Sequence, residues 1–374
     1  MWSVAVKLEV IRVHPMRSFL RSIGLVCASS IALAACGGAG ATTTPSAATT
    51  EPSAAAASIA VPPTASWRAR ALPEHVIAEW TVNNPSGVFI GFGSVWVPGH
   101  HDRTTTRIDP GSNQVSAVVK GTGDHAEQAL AVGDVLWVTG QSDDTTWIDP
   151  KTNAVSATMP RVPGHLHYIA AAFQSVWITT VDNRLDRVDP TTGRIVASIR
   201  YAAGDADCQG FVTATSSAVL VEQCDTAELI KIDPATNTVV SRTAYATLID
   251  QAKAQRSRPA GKGTDSIWIM IAQDQLTSGR PYSTGLLRVD PISGTGLTWL
   301  PLTPEQANGF VDVTDQSVWF GGIGQINRVS VATGRIDATY ATDFGTTIHP
   351  AVGFGSVWLE NYDQNLVQRL DVAP

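Results

Sequence analysis

A phrase of about forty residues recurs down this chain, and its recurrence restricts the fold more than any other feature. Each copy holds a small turn, Val-Trp-Val or a close variant, a polar loop, and then Arg-Ile-Asp-Pro. The tryptophans are Trp96, Trp137, Trp177, Trp268, Trp319 and Trp358, with Leu220 in the matching place of the fourth copy. Successive copies are spaced by 41, 40, 43, 48, 51 and 39 residues. Downstream stand Arg107-Ile-Asp-Pro110, Trp147-Ile-Asp-Pro150, Arg187-Val-Asp-Pro190, Lys231-Ile-Asp-Pro234 and Arg288-Val-Asp-Pro291, and the last two copies are worn to Arg328-Val-Ser330 and Arg369-Leu-Asp371.

Each copy parses as four strands. Strand A is a short run such as Ala129–Val132 or Tyr168–Ala172, and strand B is the Val-Trp-Val unit. Strand C ends at Ile-Asp-Pro, where proline cannot donate to a ladder. An Asp-Pro-x-Thr-Asn/Gly turn leads into strand D, as at Val155 or Ile195. Strand B is apolar at consecutive positions, as a strand covered on both faces must be. Seven such units predict an all-β, seven-bladed β-propeller of four-stranded antiparallel blades. The seventh copy lacks a strand D, and Val76–Val82 precedes the first strand A as an orphan strand. The expectation is that this N-terminal strand closes the ring and leaves no open edge. The fifth copy is the irregular one. It carries a long connection at 243–263, with a short helical stretch over 244–255, a poor strand A at Pro259–Lys262, and a second insertion at 273–285.

With 374 residues, 44% apolar and 16% charged, the chain can bury a sizeable core. Three regions are expected: a signal peptide over 1–35, a flexible linker over 36–70, and the propeller over 71–374. Arg17 and Arg21 precede an apolar run from Ile23 to Ala35, too short to span a bilayer and of signal-peptide length. Met16 is the expected initiator. The segment Leu33-Ala-Ala-Cys36-Gly37 resembles the bacterial lipobox, which implies cleavage before Cys36 and lipid on its thiol. An ordinary signal peptide with a coincidental cysteine is the alternative. Residues 37–66 are almost entirely Gly, Ala, Thr, Ser and Pro, a composition that reads as a tether. The expected location is a bacterial membrane surface outside the cytoplasm, periplasmic or at the cell surface. Without residues 1–35 the chain holds 22 Lys+Arg against 32 Asp+Glu, a net charge of −10, which argues against nucleic acid and anionic headgroups.

Cys208 and Cys224 remain after that cleavage and lie symmetrically about Ser216. If Ser216 centres a hairpin, they face each other, which suits a disulfide in an oxidising compartment. Two free thiols is the other reading.

Strand direction alternates, so B–C and D–A loops share one rim and A–B and C–D turns the other. The first rim collects the irregular polar residues. His100, His101, Asp102, Arg103, Asp182, Asn183, Arg184, Glu228, Glu360 and Tyr362 come from B–C loops, and His125, Glu127, His165, His167, Tyr168, Asp207 and His349 from D–A loops. Six of the seven histidines after the signal segment map there, and only His75 falls elsewhere. Residues just ahead of each strand A lie nearest the channel, and these are His125, Glu127, His165, His167, Asp207 and His349; the first five, with Tyr362 from a B–C loop, are the candidate ligand-binding residues. His165 and His167 have the spacing of a metal pair on an extended segment. Loops are polar wherever they occur, and that bland account of the rim stands beside the functional one. The sequence contains no phosphate loop, nucleophile elbow or paired CxxC.

The repeat Gly-Ser-Val-Trp-Val … Arg-Ile-Asp-Pro-x-Thr-Asn-x-Val resembles the YncE-like and virginiamycin B lyase-like propellers across residues 75–374. In the lyase family a histidine heads a strand A and a glutamate follows the tryptophan strand, and His349 and Glu360 resemble that pair, with Asn365 resembling a following asparagine. The resemblance implies His349 as general acid/base and Glu360 as its orienter or a ligand for a divalent metal such as magnesium. The residues themselves imply no cofactor. Two functions therefore stand. The first is a non-enzymatic module, expected as a monomer, that binds a small molecule, glycan or protein through the histidine-rich rim. The second is a metal-assisted lyase or hydrolase centred on His349.

Overall fold

The computed structural model of the chain describes residues 9–10, 73–140, 145–158, 166–203, 210–223, 226–254, 267–271, 284–307, 310–344 and 349–372. Two compact units divide the chain: residues 1–15 with 63–374, and 16–62, which lie outside the described residues. The first unit is a ring of seven antiparallel sheets. Blade one runs Phe89–Gly91, Ser94–Pro98, Thr104–Asp109 and Gln114–Lys120, strands A to D from the channel outward. Blades two, three and four repeat that order over Ala126–Val132 to Ala154–Thr158, Leu166–Ala172 to Ile195–Arg200, and Phe211–Ala214 to Thr238–Ala244. Blade five shows three described strands, Ile267–Ile271, Gly285–Val289 and Gly296–Pro301; the expected strand A at Pro259–Lys262 and the insertion at 273–283 lie outside them.

Blade six, Val311–Val313 to Arg335–Ala341, gains a fifth, two-residue strand on its inner edge, Glu9–Val10, with Glu9 opposite Asp312. Blade seven holds His349–Gly353, Ser356–Asn361 and Leu366–Leu370, and its outer strand is Val76–Thr81. The N-terminal strand therefore closes the ring, as the orphan strand predicted. Trp80 stacks on Trp358 at 5.4 Å, and Val82 N donates to Asn365 O at 3.0 Å. A shared irregularity marks Val76–Thr81 as a true strand D. Each C–D pairing skips one residue of the outer strand, at Ser116, Ser156, Val196, Val240, Leu297, Asp337 and, in the seam strand, Ile77. Such bulges increase local twist, here once per blade at one position.

The turn signature has a backbone cause. Asn113, Asn153, Asn237, Gly193, Gly294 and Gly334 close the C–D turns with φ between 54° and 69°, each donating its N–H to the carbonyl four residues back. Only Asn and Gly adopt that left-handed region readily. The expected helix forms at Tyr245–Ala254 and packs Leu248, Ile249 and Ala252 into the core beside blade five. Gly296 permits this approach, because a Cβ there would stand 1.8 Å from Leu248 O.

All six strand-B tryptophans are fully buried between neighbouring sheets, and Leu220 is 2% exposed. Removing about 200 Å² of each indole from water is worth roughly 5 kcal/mol as an upper figure. In five blades the residue directly opposite the indole on strand C is an arginine, whose guanidinium lies over the ring at 4.8 to 5.8 Å. Three of these arginines then clasp the C–D turn of the next blade. Arg107 donates to Pro150 O and Asn153 Oδ1 (2.6 and 2.7 Å), Arg187 to Pro234 O and Asn237 Oδ1, and Arg369 to Pro110 O and Asn113 Oδ1. Arg288 reaches Val331 O at 3.2 Å and Lys231 reaches Ile292 O at 2.8 Å, cations in the same place spanning to the next blade's C–D turn. Blade seven has no C–D turn, because its strand D comes from the other chain end. Arg328 of blade six accordingly donates to Asp337 of its own blade at 2.9 Å. The lost Pro of the seventh copy thus follows from where the ring closes.

Arg369→Ala removes the clasp across the seam, and should lower the unfolding free energy by about 2–3 kcal/mol in denaturant titration. Arg369→Lys, which keeps the charge without the planar fork, should fall between the two. An unchanged Arg369→Ala curve would remove the clasp from the account.

Candidate functional site

Among the described residues, the B–C loop of blade one and the D–A loop that follows it build a crowded polar cluster on the B–C/D–A rim. The B–C loop, 99–103, is tied back to the seam, since His100 N donates to Asn84 O at 2.8 Å and Asn84 N donates to Asn365 Oδ1 at 2.7 Å. Asp102 is spent on the turn, accepting from Thr104 N and Thr104 Oγ1 and from Asn83 Nδ2. The D–A loop, 121–125, is pinned to the first by Gly121 N and Thr122 N, which both donate to Arg103 O (2.9 and 3.1 Å). Arg103 and His125 sit at φ 55° and 53°, unusual for side chains of this size and a mark of a constrained loop pair. Gly140 of blade two lets this backbone approach, because a Cβ there would meet His125 O at 2.4 Å.

These loops bring His100, His101 and His125 together. His100 Nδ1 and His101 Nε2 are 3.1 Å apart, and the His125 ring lies edge-on to both, at 5.0 and 4.8 Å between centroids. Tyr362, from the B–C loop of blade seven, stands against His100 and His101 at 5.7 and 6.4 Å. Asp124 lies beside His125 Nδ1 at 3.3 Å and Arg103 Nη2 at 3.5 Å. His100 is buried while His101 is exposed. Burial, reinforced by the charge His101 can carry, holds the His100 pKa down to about 4, so this imidazole is neutral at pH 7.

The second feature is His349 and Glu360, a cross-strand pair of blade seven in which His349 Nδ1 hydrogen-bonds Glu360 Oε1. Glu360 is 1% exposed, and its Oε2 and the His349 Nε2 are buried without a hydrogen-bond partner. Phe310 stands edge-on to the imidazole at 3.4 Å. A magnesium ion demands several oxygen donors in an octahedral array. Among the described residues this pair offers one carboxylate, with the His349 imidazole against it and the Phe310 ring against that imidazole, a poor fit to such a demand. Blade four repeats the carboxylate without the imidazole: Glu222, two residues after Leu220, faces Phe211.

The other expected residues divide. Glu127, His167 and His349 lie within strand A and not ahead of it, because the ladder begins before the apolar pattern does. Tyr168 is held well above its usual phenol range by burial and by the nearby charge of Glu127. His165, Asp207, Cys208 and Cys224 lie outside the described residues, as does the His167 side chain. The hairpin between the last two centres midway between Ser216 and Ser217, half a residue from the expected point. Asp182 and Arg184 are engaged with each other and Thr180, and Glu228 with Thr226 and Arg242. Asp124 and Phe310 were not among the candidate residues.

The opposite rim is dominated by repeated turns. Its turn carboxylates Asp109, Asp149, Asp189 and Asp233 accept hydrogen bonds from Ser112, Lys151, Thr192 and Ala235 respectively, which hold their pKa values below the usual range.

Burial pushes Glu222 up from its ordinary 4.5 to about 8. Between those values the folded state keeps a proton that the unfolded chain releases, so stability should fall as pH rises from about 4.5 to about 8. Glu222→Gln should flatten that slope and stabilise the protein above pH 8 by a few kcal/mol, on the order of 1.4 per shifted unit. Denaturation midpoints across pH read this directly, and parallel wild-type and variant profiles would contradict it.

No family model and no curated protein matches the chain. Solved structures do. Hydrazine synthase of Kuenenia stuttgartiensis matches with a TM-score of 0.61 at 12% identity, over 80% of this chain and 99% of that one. BamB of Moraxella catarrhalis matches with a TM-score of 0.48 at 14% identity, over 76% of this chain and 82% of that one. At such identities the likeness is one of fold, and function rests on the rim itself.

Proposed function

We propose that the protein is a membrane-anchored, extracytoplasmic β-propeller that binds a ligand or protein through its B–C/D–A rim. The observation that carries this reading is the contrast between rims. One is closed by its own Asp turns and arginine clasps, while the other presents His101, His125 and Tyr362, partly open to solvent, from three separate loops. Aromatic and imidazole groups on rigidly braced loops suit recognition. The anchor rests on Cys36 and the sequence before it. Among the described residues no helix is long and apolar enough to cross a membrane. Cleavage before Cys36 would also remove Glu9–Val10 and free the inner edge of Val311–Val313. Small molecules, glycans and proteins all remain within reach of such a rim; the net charge of −10 after cleavage, 22 Lys+Arg against 32 Asp+Glu, disfavours nucleic acid. The protein acts as a monomer.

A second reading, a virginiamycin B lyase-like activity, draws support from the buried Glu360 orienting His349 through Nδ1, an arrangement that prepares an imidazole for proton transfer. Nε2 is the atom that would take the proton, and it is buried, with Phe310 edge-on to the same ring. A substrate would have to reach that buried nitrogen, which favours the binding reading.

A photo-crosslinking residue at His101 or Tyr362 should trap adducts in intact cells, while the same residue at Ile292, on the C–D rim, should not. Adducts from Ile292 alone would overturn the assignment of the rim. Cys36→Ser should move the protein from the membrane fraction to the soluble one. A Cys36→Ser protein that stays in the membrane pellet would end the lipid-anchor claim.

A further inference from the structure

We propose that His101, Asp124 and His125 form a zinc-binding site at the junction of blades one and two. One ligand atom from each residue lies within 4.8 Å of the others. A tetrahedral zinc ion with bonds of roughly 2.0–2.1 Å separates its ligands by about 3.4 Å, so small side-chain rotations bring these three onto one ion. The backbone needs no movement. Gly121 N and Thr122 N lock the two loops together, and His100 N and Asn84 N lock them to the seam.

The donor set selects the ion. Two imidazoles and one carboxylate suit a borderline cation such as zinc, and leave magnesium and calcium poorly served. His100, buried behind the cluster and hydrogen-bonded to His101, orients that ring as outer partners of metal-bound histidines do. Asp124 presently lies near Arg103, whose side chain is 60% exposed. Such an exposed ion pair is weak, so Arg103 can give way to the metal at small cost. Three protein ligands would leave one tetrahedral position for a donor from outside.

This site shares the rim with the proposed binding surface but stands without it. Calorimetric titration of the metal-stripped full chain with zinc chloride near neutral pH should show one equivalent bound, and magnesium chloride should give no binding. His101→Ala and His125→Ala should each weaken zinc by about tenfold or more. Asp124→Asn should weaken it as well, and His349→Ala should leave it unchanged. Cobalt(II) should give a visible d–d band in the wild type that His125→Ala removes. Circular dichroism in EDTA checks that each variant is folded. Zinc binding that is absent, that survives in the His101→Ala/His125→Ala double variant, or that disappears in His349→Ala overturns the proposal. A crosslinker at Tyr362 leaves all three proposed ligands in place, and one at His101 removes a ligand, so adducts from His101 in the absence of zinc binding separate the two outcomes.

Discussion

An indole on strand B, faced by a guanidinium on strand C that reaches for the next blade, is the contact on which the ring depends. It joins three levels of structure in one place. The tryptophan fills the space between sheets, and the arginine covers its face. The free end of the cation then satisfies carbonyls of the neighbouring turn, so blades one, three, four, five and seven each cap the next. The exceptions obey the same logic. Blade four has Leu220 opposite Lys231, so where the indole is lost the planar cation is lost with it, and a point charge makes the clasp to Ile292 O. Blade two has Trp147 opposite Trp137, and the two rings lie together at 5.2 Å in place of a clasp.

This contact also assigns work to the rims. Arginine clasps and aspartate-capped turns all fall on the C–D side, where the Asp109, Asp149, Asp189 and Asp233 carboxylates accept hydrogen bonds from their own turns. The other rim carries no repeating duty, so its loops are free to differ between blades. They do differ: blades three and four spend their loop charges on one another, while blade one gathers imidazoles. A rigid ring with one occupied rim and one variable rim places recognition groups without asking them to hold the fold.

Features encoded locally were legible in the sequence. The seven blades, the Asn and Gly turns, the short helix and the closure by Val76–Thr81 all follow from strand pattern, left-handed turn residues and one missing strand. The histidine rim was legible only as a collection of residues. That His100, His101 and His125 meet depends on how residues 99–103 and 121–125 lie against each other, which no pattern along the chain reports. Asp124 was passed over because one acidic residue in Gly-Thr-Gly-Asp-His carries no periodic signal. Phe310 escaped for a similar reason, since its contact with His349 joins neighbouring blades. Strand A begins earlier than expected at Glu127, His167 and His349, because hydrogen-bonded pairing continues after apolar alternation stops.

The division of labour between rims is the central claim, and paired thermal unfolding tests it most directly. One variant carries Arg107→Ala, Arg187→Ala and Arg369→Ala, and the other His101→Ala, His125→Ala and Tyr362→Ala. The account predicts a fall of many degrees for the arginine set, at roughly 2–4 °C per kcal/mol lost, and a melting temperature within a few degrees of wild type for the rim set. Equal losses, or a larger loss from the rim set, would contradict it.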